Sequence, residues 1–344
     1  MTTHDQTLDR FSGTATIVLT LLGWSSIPLF LKYFSRDIDA WTANGWRYAF
    51  SALLWAPVLV WARRTGNTPP GLWKAAVLPS VFNAMGQMLF GLAPYYVDPG
   101  LMTFSLRMQI VFVTVGAALL FPSERRIVRT PLFMIGLAMV FAGTMGTIAL
   151  KPGGMGSGTT FGVIMSIASG LLFACYALAV RHSMHGVNPL IAFAAISQYT
   201  AVGLLVPMLL VGHESGLGAL QLPARGFGLL LLSSLIGIGL GHTFYYVSIA
   251  RLGVAVSSGV IQLQPFIVAA SSYFLFGERL TPFQWASGVL AVLGAGVILL
   301  VQQRLGMAST AAPEPQLCES CGVDLGSAPD RACPQCGSPR PSSA

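Results

Sequence analysis

Apolar residues run in ten long stretches between positions 14 and 303, each closed by a short polar turn. A stretch of about 20 apolar residues is long enough to cross a bilayer as a helix, at 1.5 Å of rise per residue. The pattern therefore predicts membrane-spanning helices at 14–33, 41–62, 73–96, 100–121, 131–150, 160–181, 188–211, 226–248, 253–276 and 282–303. The first follows a polar segment holding Arg10, carries Pro28 and ends on bulky Leu29, Phe30 and Leu31 with no small-residue cleavage site. It reads as an anchor, not a signal peptide, with residues 1–13 as a short segment before it.

Composition agrees with the pattern. Apolar residues make up 54% of the chain and charged residues 9%, where a soluble domain carries about 25% charged. The net charge of +7 does not mark a nucleic-acid partner, because the basic residues are scattered through the loops and form no patch. Orientation accounts for them. With the N-terminus in the cytoplasm, ten Lys and Arg residues before the tail fall on the inner side, Arg63, Arg64, Lys74 and Arg125 among them, against five outside. That bias predicts both termini inside an inner (plasma) membrane.

The second half repeats landmarks of the first. Phe90–Val97 (FGLAPYYV) is similar to Leu240–Val247 (LGHTFYYV), and in each half an apolar helix follows and ends in an acidic tag, at Phe121–Glu124 and Phe276–Glu278. Aligning Phe121 with Phe276 also sets Gln109 on Gln264. Five crossings per half is an odd number, so the halves must have opposite orientation, as in inverted-repeat secondary transporters. The expected fold is thus all-α integral membrane: ten transmembrane helices in two inverted five-helix repeats, 14–150 and 160–303.

Several of these residues together resemble the EamA-like ten-helix members of the drug/metabolite transporter superfamily. They are Leu21–Phe30 (LLGWSSIPLF), Arg47-Tyr48, the two Tyr-Tyr pairs and above all Phe276–Ile298 (FGERLTPFQWASGVLAVLGAGVI). The resemblance covers residues 14–303. It implies a central cavity between two repeats, alternating access and, because the family contains many exporters, export of small metabolites. The chain departs from the family in Pro-Ser-Glu-Arg at the first acidic tag and in Ser25 where Gly is common.

Residues 304–317 have the small, polar, Pro-containing composition of a flexible linker. In 318–340, Cys318-x2-Cys321 and Cys333-x2-Cys336 offer four thiolates in two pairs, the spacing of a structural zinc site in a zinc-ribbon-like module. Two disulfides are the alternative, disfavoured in reducing cytoplasm. Cys175 stands apart as a packing thiol.

Polar groups inside hydrocarbon are costly, so their positions nominate a cavity. Arg47 and Arg107 are the cations well inside spans, and no acid inside a span faces them. Asn44, Arg47, Tyr48 and Ser51 share one helical stripe; Thr103, Arg107 and Thr114 share another. Both arginines lie about 10 Å below the outer ends of their helices, at 1.5 Å per residue, and are expected to share a basin. A guanidinium fork there grips a carboxylate or phosphate; snorkelling, or bonding to backbone carbonyls, is the alternative. Asn83 and Gln87, with Ser257, Gln264 and Ser271, can contact polar parts of a ligand or tie helices together. His242 can relay a proton or simply bond within the core.

No nucleophile elbow, phosphate-cradling loop or intramembrane carboxylate pair points to an enzyme. The expected partners are the lipid bilayer and a small anionic or zwitterionic metabolite, moved without ATP. A cytoplasmic protein recruited by the tail, or a second copy of the chain, stays open. The rival reading is a membrane scaffold or sensor that uses its zinc tail to recruit a partner.

Overall fold

The computed structural model describes residues 3–121, 125–151 and 156–310; the four tail cysteines lie outside the described residues. In chain order the helices are α1 (Thr3–Phe34), α2 (Ala40–Arg64), α3 (Leu72–Leu92), α4 (Pro99–Leu106), α5 (Met108–Leu120), α6 (Arg125–Val128), α7 (Pro131–Ala149), α8 (Ser157–Ser183) and α9 (Pro189–Val211). They continue as α10 (Ala224–Ser234), α11 (Gly241–Leu252), α12 (Val254–Ile261), α13 (Gln264–Phe276) and α14 (Pro282–Thr310). Local chemistry sets several starts. Asp39 accepts from the Thr42 backbone N–H at 2.9 Å to cap α2, Asn188 caps α9 through Leu190 N–H at 2.9 Å, and proline opens α4, α7 and α9 where its missing N–H costs nothing.

Among the described residues nine helical stretches are long and apolar enough to cross a membrane, where the sequence pattern predicts ten. The difference is α2. It is a 25-residue helix, but Asn44 and Arg47 dilute its apolar character. Two predicted spans are also not continuous: the fourth breaks at Arg107 into α4 and α5, and the ninth breaks at Gln262–Leu263 into α12 and α13. The eighth contains a π-helical segment, Leu235–Leu240, between α10 and α11.

The surface and interior are distributed as expected for a chain solvated by lipid. Phe274 is 82% exposed and Leu210 79%, whereas Thr20, Ser25, Ser51 and Ser166 are buried. Those hydroxyls bond within the protein, as Ser25 Oγ does to Leu21 O at 2.6 Å, so no polar group faces hydrocarbon unpaired at these positions.

Packing follows a two-fold pattern between the halves. Helix α1 packs on α11 as α8 packs on α3, while α2 packs on α9 and α4 on α13. The details agree. Ser169 Oγ donates to Gly86 O at 2.9 Å, and Thr20 Oγ1 approaches Gly241 O at 3.5 Å. Thr20 lies 149 residues before Ser169, and Trp24 the same number before Phe173. The Phe173 ring covers Gly86 just as the Trp24 ring covers Gly241. On the other side of the body α7 and α14 meet backbone to backbone: a Cβ on Gly143 would lie 2.5 Å from both Ala291 N and Ser287 O.

Candidate functional site

The two breaks face each other. At the first, Arg107 N–H bonds Phe104 O at 3.1 Å, three residues back, so the α-helical ladder tightens for one turn. At the second, Gln262 and Leu263 make the same tightened turn to Gly259 O and Val260 O. Pro265 accounts for the second break, since it has no N–H to offer the carbonyl of Ile261. The first has no proline. There Gly170 of α8 comes close, a Cβ at that position lying 3.0 Å from Leu106 O.

Arg107 spans the gap between the breaks. Its Nη1 donates to Gln262 Oε1 at 3.1 Å and its Nη2 to Gln264 Oε1 at 2.6 Å, while Nε has no partner. Arg107 and Gln262 are 155 residues apart, as are Gln109 and Gln264, so Arg107 and its partner Gln262 stand at matching positions of the two halves. Every residue of α4 is buried, yet Arg107 at its end is partly exposed. Among the described residues no acid bonds the guanidinium, and Lys32–Asp98 is the ion pair found there.

An aromatic wall adjoins this pair of breaks. Gln264 Nε2 donates to Trp24 O at 2.9 Å, and Trp24 Nε1 donates to Gly237 O in the π segment at 2.9 Å. A π segment closes its hydrogen bonds five residues on in place of four, which widens the helix locally. The Trp24 ring lies 4.9 Å from Tyr245 and 5.2 Å from His242, centroid to centroid. His242 stacks on Phe193 at 4.0 Å, with Nδ1 3.2 Å from Ile238 O. Trp24, His242, Tyr245 and Tyr246 are all partly exposed.

The other polar candidates have different neighbours. Arg47 is 2% exposed; its Nε donates to Ser233 Oγ at 3.0 Å and its Nη1 to Asn44 Oδ1 at 3.2 Å. Its own carbonyl accepts from Ser234 Oγ at 2.5 Å. Arg47 is bonded at the α2–α10 contact and Arg107 at the breaks, with no hydrogen-bond partner in common among the described residues. Asn83 donates to Thr200 Oγ1 at 3.0 Å and ties α3 to α9. Gln87 is partly exposed, and its backbone carbonyl holds Asn44 Nδ2 at 2.8 Å. Of the heptad on the ninth span, Gln264 is engaged with Arg107, while Ser257 Oγ is buried with no partner.

The sequence model of the EamA-like transporter family matches residues 11–149 and again 160–300. The chain belongs to the EamA-like transporter family. The two matched segments coincide with the two halves of the fold, so the repeat seen in the packing is the repeat of the EamA-like unit. A solved crystal structure is similar over 86% of this chain and 98% of its own, with a TM-score of 0.59 at 16% identity, a likeness of fold. No curated protein matches. The chain is therefore a multi-pass membrane protein of a transporter family.

Polar contacts join the two repeats at one end of the EamA-like body. Asp39 Oδ2 accepts from His213 N–H at 3.0 Å, and Trp46 Nε1 donates to Gly216 O at 2.8 Å. Glu278 accepts from Gly100 N–H at 2.8 Å and from Leu101 N–H at 2.9 Å. Burial raises the Glu278 carboxyl above its ordinary 4.5; the nearby Asp98 charge adds to the rise, and the two N–H groups work against it. A carboxyl raised in the folded state costs stability when ionised, and that cost disappears as pH falls through the raised value. Acidification from neutral pH toward 4.5 is thus expected to stabilise the native chain relative to Glu278→Gln, which does not titrate. Thermal unfolding of the pair across pH measures this, and a difference independent of pH contradicts it.

Proposed function

We propose that this protein is a secondary transporter whose substrate binds where the two helix breaks meet, with Arg107 holding an anionic group and Gln262 and Gln264 its polar neighbours. The observation that carries this reading is a guanidinium between the repeats whose partners are two neutral amide oxygens. A carboxylate or phosphate offers it paired, charge-assisted bonds that a glutamine cannot. Release costs little at the partly exposed Gln262; Gln264 is buried, and its Nε2 keeps the bond to Trp24 O when its Oε1 lets go. Trp24, Tyr245 and His242 beside it suit the apolar body of an anionic or zwitterionic metabolite.

Discontinuous helices meeting at a repeat interface are a recurrent way for secondary transporters to build a site. In this reading α2 is the tenth crossing. Its polar residues Thr42, Asn44, Arg47 and Ser51 are all buried against neighbours, and Leu53, Val60 and Trp61 face outward. Ten crossings put both termini on the cytoplasmic side, where the loop charges favour them. The joined end then faces outward, and alternating access would open it. Export follows from the resemblance to a family rich in exporters.

Ligand-dependent thermal stabilisation of the purified chain tests the site, because a ligand that binds the folded state raises its apparent stability. Organic acids, amino acids and sugar phosphates are expected to stabilise the wild type; stabilisation by cationic drugs alone contradicts the reading.

The tail belongs to the same proposal as a structural zinc module held by Cys318, Cys321, Cys333 and Cys336. Its spacing supports this, since four thiolates close a tetrahedral site and leave no position for water. The purified chain is expected to carry about one zinc ion per molecule, and Cys318→Ser to lose it, by elemental analysis. Transport retained after truncation following residue 310 would count against the scaffold reading.

A further inference from the structure

The cap at the start of α4 is supplied from the wrong half of the chain. Asp98 occupies the N-cap position with an extended backbone (φ −74°, ψ 150°) and Pro99 follows, the local signature of a helix capped by its own aspartate. Yet the Asp98 side chain makes no cap bond. The Gly100 and Leu101 N–H groups that it would serve are taken instead by both carboxylate oxygens of Glu278, which comes from the second repeat. Asp98 is held aside by Lys32, its Oδ1 3.3 Å from Nζ, and Lys32 is itself fixed by Pro94 O at 3.0 Å.

The rest of the geometry fits this arrangement. Gly277 ends α13 in the left-handed region (φ 74°), which turns Glu278 back toward the body. Gly100 leaves the room the carboxylate needs, since a Cβ there would lie 2.8 Å from each of its oxygens. Glu278 is 8% exposed, whereas Asp98 is not buried. Helix α4 is eight residues long and ends at Leu106, next to Arg107. Whatever holds its first turn therefore positions the guanidinium at its other end.

We propose that Glu278 is a latch between the repeats: it caps α4 in the closed state and so positions Arg107, and when this end opens the cap passes to Asp98. The exchange keeps two helix N–H groups satisfied in both states, so opening does not leave them bare inside the protein. It also gives the end two discrete arrangements, which a conformational gate requires. This inference rests on the transporter reading for its purpose, but its test needs no substrate.

The test is the access of a thiol reagent to position 102, which is fully buried one residue beyond the capped pair. The full chain carrying Met102→Cys is placed in lipid nanodiscs and exposed to a membrane-impermeant maleimide. Peptide mass spectrometry reads labelling at residue 102 apart from the native thiols. Glu278→Met keeps the bulk of the side chain and removes both acceptor oxygens; it is expected to speed labelling about tenfold, the effect of losing one helix cap. Asp98→Ala removes the rival cap and is expected to slow labelling several-fold, although it also breaks the Lys32 pair.

The opposite signs are the diagnostic. If Asp98 were only a strut tied to Lys32, its loss would loosen the end and speed labelling. Unchanged labelling in Glu278→Met, or faster labelling in Asp98→Ala, overturns the latch. Should Glu278→Met not fold, as judged by size exclusion, Gly100→Ala displaces the carboxylate by a clash and is expected to speed labelling likewise; no change there overturns the proposal too. Failure of anion binding at Arg107 would refute the substrate site while leaving these labelling results intact.

Discussion

Arg107→Gln is expected to abolish selective binding of anions while leaving the protein folded. Two charge-assisted bonds to a carboxylate would become at most neutral ones, a loss of about 1.5–3 kcal/mol per bond to a charged group. One such loss weakens affinity about tenfold to a hundredfold. The fold should survive, because Gln262 and Gln264 lose a donor that a glutamine can partly replace, and Gln264 keeps its bond to Trp24 O. Binding isotherms for the best-stabilising anion, on wild type and variant, read the change. Equal affinities would make Arg107 a structural tie between the breaks.

The second large effect concerns folding. Gly143→Leu places a branched side chain where α7 and α14 touch backbone to backbone, against Ala291 N and Ser287 O at 2.5 Å from the first added carbon. Overpacking of a tight core costs about 1–3 kcal/mol when side chains can yield, and here main chain would have to move. The expected result is a loss of at least about 3 kcal/mol, seen as collapse of yield and unfolding temperature in detergent. Gly296→Ala on the same α14 helix, with nothing within 4 Å of the added carbon, is the matched control and should be near neutral. Tolerance of Gly143→Leu would mean that the α7–α14 contact is not what holds the halves together on that side.

The sequence made the periodic features legible and the tertiary ones only in part. The apolar runs gave the helices, and the offset between Phe121 and Phe276 gave the repeat, because both are properties of spacing. Helix α2 shows the limit of counting apolar residues: its polar stripe is buried against protein, where Asn44 and Arg47 find Gln87 O and Ser233. The break at Gln262 had a local sign in Pro265, and the break at Arg107 had none.

Candidate residues divide along the same line. Arg107 and Gln264 were visible as polar groups in apolar helices, and the structure brings them together. Gln262 and Trp24 were missed, although the 155-residue offset that pairs Gln109 with Gln264 also pairs Arg107 with Gln262. Glu278 was read as a helix-end tag, since nothing in its neighbours along the chain points to Gly100, 178 residues earlier. Arg47 and Asn83 follow from the same polarity rule, and each, like Arg107, is bonded to a neighbouring helix.

The most direct test of the central claim is flux of labelled organic anions into ATP-free proteoliposomes containing the purified chain, alongside neutral and cationic solutes of similar size. Saturable anion movement without nucleotide is expected, reduced to the level of empty vesicles by Arg107→Gln. Movement of cationic solutes alone, or anion flux that persists in Arg107→Gln, would contradict it.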